Sequence, residues 1–167
     1  MELTTLNDVF VDQLADLKSA EQQLTDALPK MAKAASTPEL QEAFEEHLEE
    51  TRGHVKRLQE IEKMVGSVPS ETCEAMKGLI SEGEDIVKAS GDPVAKDVAL
   101  IAAAQRVEHY EISAYGTARE LAKELDFKDA AGLLSDTLDE ESAADQKLNA
   151  IATGGIMSSG VNQAASR

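Results

Sequence analysis

The strongest constraint on this chain is the spacing of its apolar residues. In four long segments they recur every three or four positions, and no stretch alternates with period two for long enough to make a strand. Proline and glycine separate the segments at Thr37-Pro38, Gly66 to Pro69, Gly91-Asp92-Pro93 and Gly154-Gly155. The pattern predicts an all-α fold. Helix A is expected from about Leu6 to Ala35, with Phe10, Leu14, Leu17, Leu24, Leu28 and Met31 facing inward and a kink at Pro29. Helix B starts with Thr37 as cap and Pro38 as first residue. It runs to about Val65, with Phe44, Leu48, Val55, Leu58 and Ile61 inward. Helix C opens the same way at Asp92-Pro93 and reaches about Leu125. Helix D follows a tight turn near Asp126 and ends near Ala152.

Between B and C the character changes. Gly66 to Ser70 reads as a loop, and Glu71 to Ala89 as a shorter amphipathic helix weakened by Gly78 and Gly83. A long helix, a short turn and a second long helix therefore occur twice, joined by this crossover. Short turns make antiparallel neighbours, and the crossover reorients the second pair. The result is a four-helix bundle with one long connection that carries a short fifth helix on its outside. Residues 1–152 form one domain, and the Gly-, Ser-, Ala- and Asn-rich residues 153–167 are expected to be a flexible tail. With three Phe, two Tyr and no Trp among 167 residues, the core must be aliphatic.

Charge narrows the partners. Sixteen Lys and Arg stand against 32 Asp and Glu, a formal net charge of −16. Nucleic acid and anionic membrane surfaces both demand the opposite sign. No run of about 18 apolar residues exists to span a bilayer. The start of the chain shows neither the basic nor the apolar stretch of a secretory signal. A single cysteine, Cys73, fits a reducing cytoplasm.

The acids point to chemistry. The inward stripe of helix A, at 10, 14, 17, 21, 24, 28 and 31, is apolar except at Glu21. The stripe of helix C reads Ile101, Ala104, Glu108, Glu111, Tyr115, Ala118, and that of helix D reads Leu134, Leu138, Glu141, Asp145, Leu148, Ala152. On helix B, His47, Glu50, Thr51 and His54 share one side. These interruptions lie near the middles of their helices, and in antiparallel helices the middles meet. A central layer of carboxylates and two imidazoles follows, with no Lys or Arg on the inner stripes. Burying an unpaired carboxylate costs several kcal/mol, and protonation relieves one or two such groups rather than six. A pair of divalent cations resolves the conflict, and carboxylate oxygen with imidazole nitrogen suits iron or manganese. The candidate ligands are Glu21, His47, Glu50, His54, Glu108, Glu111, Glu141 and Asp145. The sequence leaves open whether Glu140 or Glu141 faces the site, and which of His47 and His54 is a ligand.

Three segments resemble a known family. They are Ala20-Glu21-Gln22-Gln23-Leu24 through Ala27-Leu28-Pro29-Lys30-Met31, then Phe44 to Thr51, and then Ala99 to Ile112 followed by Ala114-Tyr115-Gly116-Thr117. Together they are similar to the YciE/YciF family of bacterial ferritin-like proteins. The resemblance implies a ferritin-like bundle related in fold to rubrerythrin, a homodimer and an association with stress, with no assigned reaction. In the wider ferritin-like pattern Glu21 matches the lone Glu of the first helix, and Glu108 with Glu111 resembles the paired acids of rubrerythrin's third helix. Helix B departs from the pattern, because Glu50 and His54 are four apart and His47 precedes Glu50. Helix D has no His after Glu140 or Glu141, so either Asp145 takes that place or the site has fewer nitrogen ligands. Two divalent ions, iron ahead of manganese, would then act on peroxide or dioxygen. The alternative is a helical dimer without enzymatic activity that works through a protein partner.

Overall fold

A computed structural model describes residues 4–154 and 160–166. It contains α1 (Leu6–Ala34), α2 (Pro38–Val65), α3 (Glu74–Lys88), α4 (Pro93–Glu124), α5 (Lys128–Thr153) and α6 (Val161–Ala165). No strand occurs among the described residues, and no helix is long and apolar enough to cross a membrane.

Local chemistry sets the helix ends. Thr5 and Asp8 form a reciprocal capping box at the start of α1. The Asp92 carboxylate accepts from the Ala95 N–H at 2.9 Å, and Pro93 occupies the first turn of α4. Asp126 takes a positive φ of 62° in the α4–α5 turn, a conformation that Asp tolerates better than most residues. Helix α1 continues through Pro29. The start of α2 departs from expectation, because the Thr37 side chain makes no capping bond. Asp97 of α4, fully buried, instead anchors the two residues that precede the helix: its carboxylate accepts from the backbone N–H groups of Ser36 and Thr37 and from the Ser36 hydroxyl, at 2.8 to 2.9 Å.

The helices α1, α2, α5 and α4 close a bundle, each packed on the next and α4 packed back on α1. Helix α3 lies outside, over α1 and α4. Its start differs from the expected Glu71. Cys73 is the cap, its sulfur accepting from the Met76 N–H at 3.3 Å, and it is buried. The expected flexible tail also differs at its far end. Val161 is buried against the core, and α6 packs on α4 and α5. Gly160 permits this approach, since a Cβ there would lie 2.3 Å from the backbone of Ala152, Thr153 and Gly154. Residues 155–159 and 167, also assigned to that tail, lie outside the described residues.

Two apolar cores divide the bundle. One joins Leu24, Leu28, Leu40, Phe44, Met76, Leu100 and Leu148, and the other joins Phe10, Leu14, Leu17, Leu58, Ile61, Tyr115 and Leu134. Along every bundle helix the passage from one core to the other crosses a buried polar residue: Glu21 on α1, His47, Thr51 and His54 on α2, Glu108 and Glu111 on α4, and Glu141 on α5. A truncation such as Leu→Ala in either core costs about 2–5 kcal/mol. That apolar margin lets the fold carry an expensive polar layer between the two cores.

Candidate metal centre

The polar layer converges into two overlapping groups. One ligand atom each from His47, Glu108, Glu111 and Glu141 lie within 4.8 Å of one another, and the same holds for Glu21, His54 and Glu141. Glu141 belongs to both. Its Oε1 lies 2.9 Å from His54 Nδ1, and its Oε2 lies 3.7 Å from His47 Nε2. Each oxygen thus serves a different imidazole. Glu108 Oε1 approaches His47 Nε2 at 3.4 Å, and Glu21 Oε1 approaches His54 Nδ1 at 3.2 Å.

The two rings are held from behind by different means. His54 Nε2 lies 2.8 Å from Glu140 Oε2, and Arg57 clamps Glu140, with its Nη2 at 2.7 Å from Oε1 and its Nη1 on Oε2. Arg57 also donates to the Thr137 hydroxyl at 3.2 Å. The Tyr115 hydroxyl donates to Glu21 Oε1. His47 instead has Glu50 at 3.4 Å from Nδ1, with Glu50 nearly half exposed. A partner on one ring nitrogen directs the other nitrogen into the cluster. His54 therefore presents Nδ1, and His47 presents Nε2.

Much of the layer has no hydrogen-bond partner. Glu21 Oε2, His47 Nε2, Glu108 Oε2, Glu141 Oε2 and both carboxylate oxygens of Glu111 are buried and unpartnered. Unpartnered polar atoms in an apolar interior are costly, and carboxylates more so. Burial, and then neighbouring carboxylates, push Glu108 and Glu111 well above the usual carboxylate range, and burial also raises Glu21. Burial would pull the imidazoles down, but the adjacent acids outweigh it, raising His47 to about 9 and His54 to about 10. Burial opposes the Glu141 charge too, yet His54 and His47 hold its pKa below the usual value. The metal-free cluster thus holds its protons on the imidazoles and on Glu108 and Glu111, and it is rich in oxygen and nitrogen donors aimed at common points. That donor set, carboxylate oxygen with imidazole nitrogen, could hold a metal ion.

Six of the eight candidate ligands come together: Glu21, His47, His54, Glu108, Glu111 and Glu141. Glu50 and Asp145 do not. On α2 the buried positions are 40, 43, 44, 47, 51, 54, 58 and 61, so Glu50 falls at the edge of the stripe and touches His47 from the rim. On α5, Asp145 is turned toward α4, where it accepts from Gln105 at 3.1 Å and lies 3.5 Å from the exposed His109. The choice between neighbouring acids on α5 is resolved. Glu141 faces the cluster, and Glu140 stands behind His54. Sequence reading missed the Arg57–Glu140 pair, although Arg57 is one helical turn after His54 and hence on its face. Tyr110 points away from the layer, donating to Asp16 and lying 3.0 Å from the Cys73 sulfur.

Comparison with known proteins bears on the fold and the family. The chain is 43% identical over 166 residues to Protein YciF of Escherichia coli strain K12, covering 98% of this chain and all of that one. The crystal structure of the E. coli stress protein YciF superposes with a TM-score of 0.86 at 45% identity, over 87% of this chain and 93% of that chain. YcfI from Rhodopseudomonas palustris gives the same TM-score at 41% identity, over 90% and 97%. A dodecameric thioferritin, the bacterioferritin-related protein of Bacteroides fragilis, shares the fold at 19% identity, with a TM-score of 0.67 over 86% of this chain and 83% of that one. The bundle with its long crossover is therefore ferritin-like, as the sequence segments implied. With the family described as a domain of unknown function, DUF892, matching residues 5–165, this chain belongs to that family, the relatives of YciF.

Proposed function

We propose that this protein is a stress-associated ferritin-like protein that holds two divalent metal ions, iron ahead of manganese, at the centre of its bundle and handles peroxide or dioxygen there. The observation that carries the reading is Glu141, a fully buried carboxylate whose two oxygens face two different histidines. His47, Glu108 and Glu111 would hold one ion and Glu21 and His54 the other, with Glu141 shared. Bound metal would supply the redox chemistry. The chain's own part is positional. Arg57 and Glu140 fix the His54 ring, Tyr115 fixes Glu21, and the two apolar cores exclude bulk water from both faces of the layer. The stress association comes from YciF, and the homodimer from the family resemblance. A single buried thiol suits the cytoplasm.

The test is elemental mass spectrometry on protein purified without affinity metals, beside a Glu21→Ala/Glu108→Ala double variant. About two equivalents of iron or manganese in the parent and none in the variant are expected. No metal in either protein after anaerobic loading with ferrous iron would overturn the reading and favour a bundle that acts through a protein partner.

A further inference from the structure

The two halves of the cluster differ in their access to solvent. A cavity of about 110 Å³ lies between α2 and α5, and His47 and Glu108 line it. Glu46, Glu50, Ala144 and Lys147 are also among its lining residues. Lys147 and Glu46 pair across it from opposite helices, and both are about half exposed. Within it lie His47 and Glu108, both more than nine-tenths buried, with His47 Nε2 and Glu108 Oε2 unpartnered. His54 instead has its outer nitrogen covered by Glu140 and Arg57.

We propose that this cavity is the inlet through which divalent cations reach the cluster, and that the His47 half fills before the His54 half. The proposal rests on the metal reading above. Two carboxylates and one ammonium surround the mouth, on a strongly acidic protein, so the local field draws cations in. An arriving cation displaces Lys147 from Glu46 and then meets Glu50, which already touches His47. His47 and Glu108 would take it next, replacing water on the ion and releasing their protons to solvent through the cavity. Glu141, common to both groups, is the route onward to His54. A neutral molecule the size of peroxide would fit the cavity but would make no use of its charges.

The test follows anaerobic binding of cobalt(II) to the full chain by stopped-flow visible absorption. Ala144→Phe narrows the cavity and is expected to slow binding about tenfold with the final absorbance retained. Lys147→Ala frees Glu46 and is expected to speed binding about threefold, an effect that fades with added salt. His47→Ala should abolish the fast phase, whereas His54→Ala should keep it. Gln22→Phe, on the exposed face of α1, should bind at the parent rate. If Ala144→Phe fails to fold, Lys147→Ala and the two histidine variants carry the test. Binding at the parent rate in both cavity variants, or a fast phase that follows His54, would overturn the inlet while leaving the metal reading intact. Absence of any cobalt binding by the parent would overturn both.

Discussion

The two histidine half-sites use the same residue types in opposite settings. His54 is sealed: an acid–guanidinium pair holds its outer nitrogen, and a tyrosine hydroxyl anchors the neighbouring Glu21. His47 is backed by a half-exposed acid and borders a cavity. The sealed half is built to keep its geometry, and the open half to exchange with solvent. On the metal reading proposed above, a symmetric ligand list would not give symmetric sites, because the groups behind each ligand decide its rigidity and access.

The largest effect should come from Glu141→Ala. Glu141 is the one carboxylate common to both groups, so its loss is expected to take metal content from about two equivalents to none, read by elemental analysis. One equivalent retained would show that the halves are independent. Next, Arg57→Ala should loosen the sealed half alone. An affinity loss of about 10–100-fold for one ion of the pair is expected in a chelator competition, with the other unchanged. Equal loss from both halves would break the contrast.

A pH titration of the metal-free protein sharpens it further. His47 and His54 have folded values of about 9 and about 10 against 6.5 for a free imidazole. Their contribution to stability is complete below the unfolded value and is lost as pH rises through the folded ones. Glu21, Glu108 and Glu111, raised above 4.5, act in the same sense, whereas the lowered Glu141 loses its contribution as pH falls. The Tm of metal-free protein should therefore drop between pH 7 and pH 10, and saturating metal should flatten the drop. A Tm that rises over this interval would contradict the assignment. The smallest effect should be that of Asp145→Asn, on the stripe edge. Unchanged metal content and stability within about 0.5 kcal/mol are expected by titration and urea melt.

These contrasts also show what the sequence could reveal. Helices α1 and α4 were legible to the residue. Every position of the 10–31 stripe and of the 101–118 stripe is buried, including Glu21, Glu108 and Glu111, because each stripe is an unbroken series in which an acid stands out. Helix α2 was less legible. Polar residues at 47, 50, 51 and 54 admit two neighbouring registers, and packing against α1 and α5 selects the one that buries Thr51 and exposes Glu50. On α5, Asp145 follows Glu141 by four residues, a step of 40° beyond a full turn, enough to turn it toward α4. The Arg57–Glu140 clamp, the Asp97 bonds to residues 36 and 37 and the docking of α6 join residues 60 or more positions apart or depend on a glycine's missing Cβ. Periodicity, a local signal, does not contain them.

The most direct test is a crystal structure of metal-loaded protein with anomalous data collected at the iron edge. The account predicts two peaks, one among His47, Glu108, Glu111 and Glu141 and one among Glu21, His54 and Glu141, with Glu141 touching both. Water or an empty layer after ferrous loading, with Glu141 bonded to protonated imidazoles alone, would contradict it.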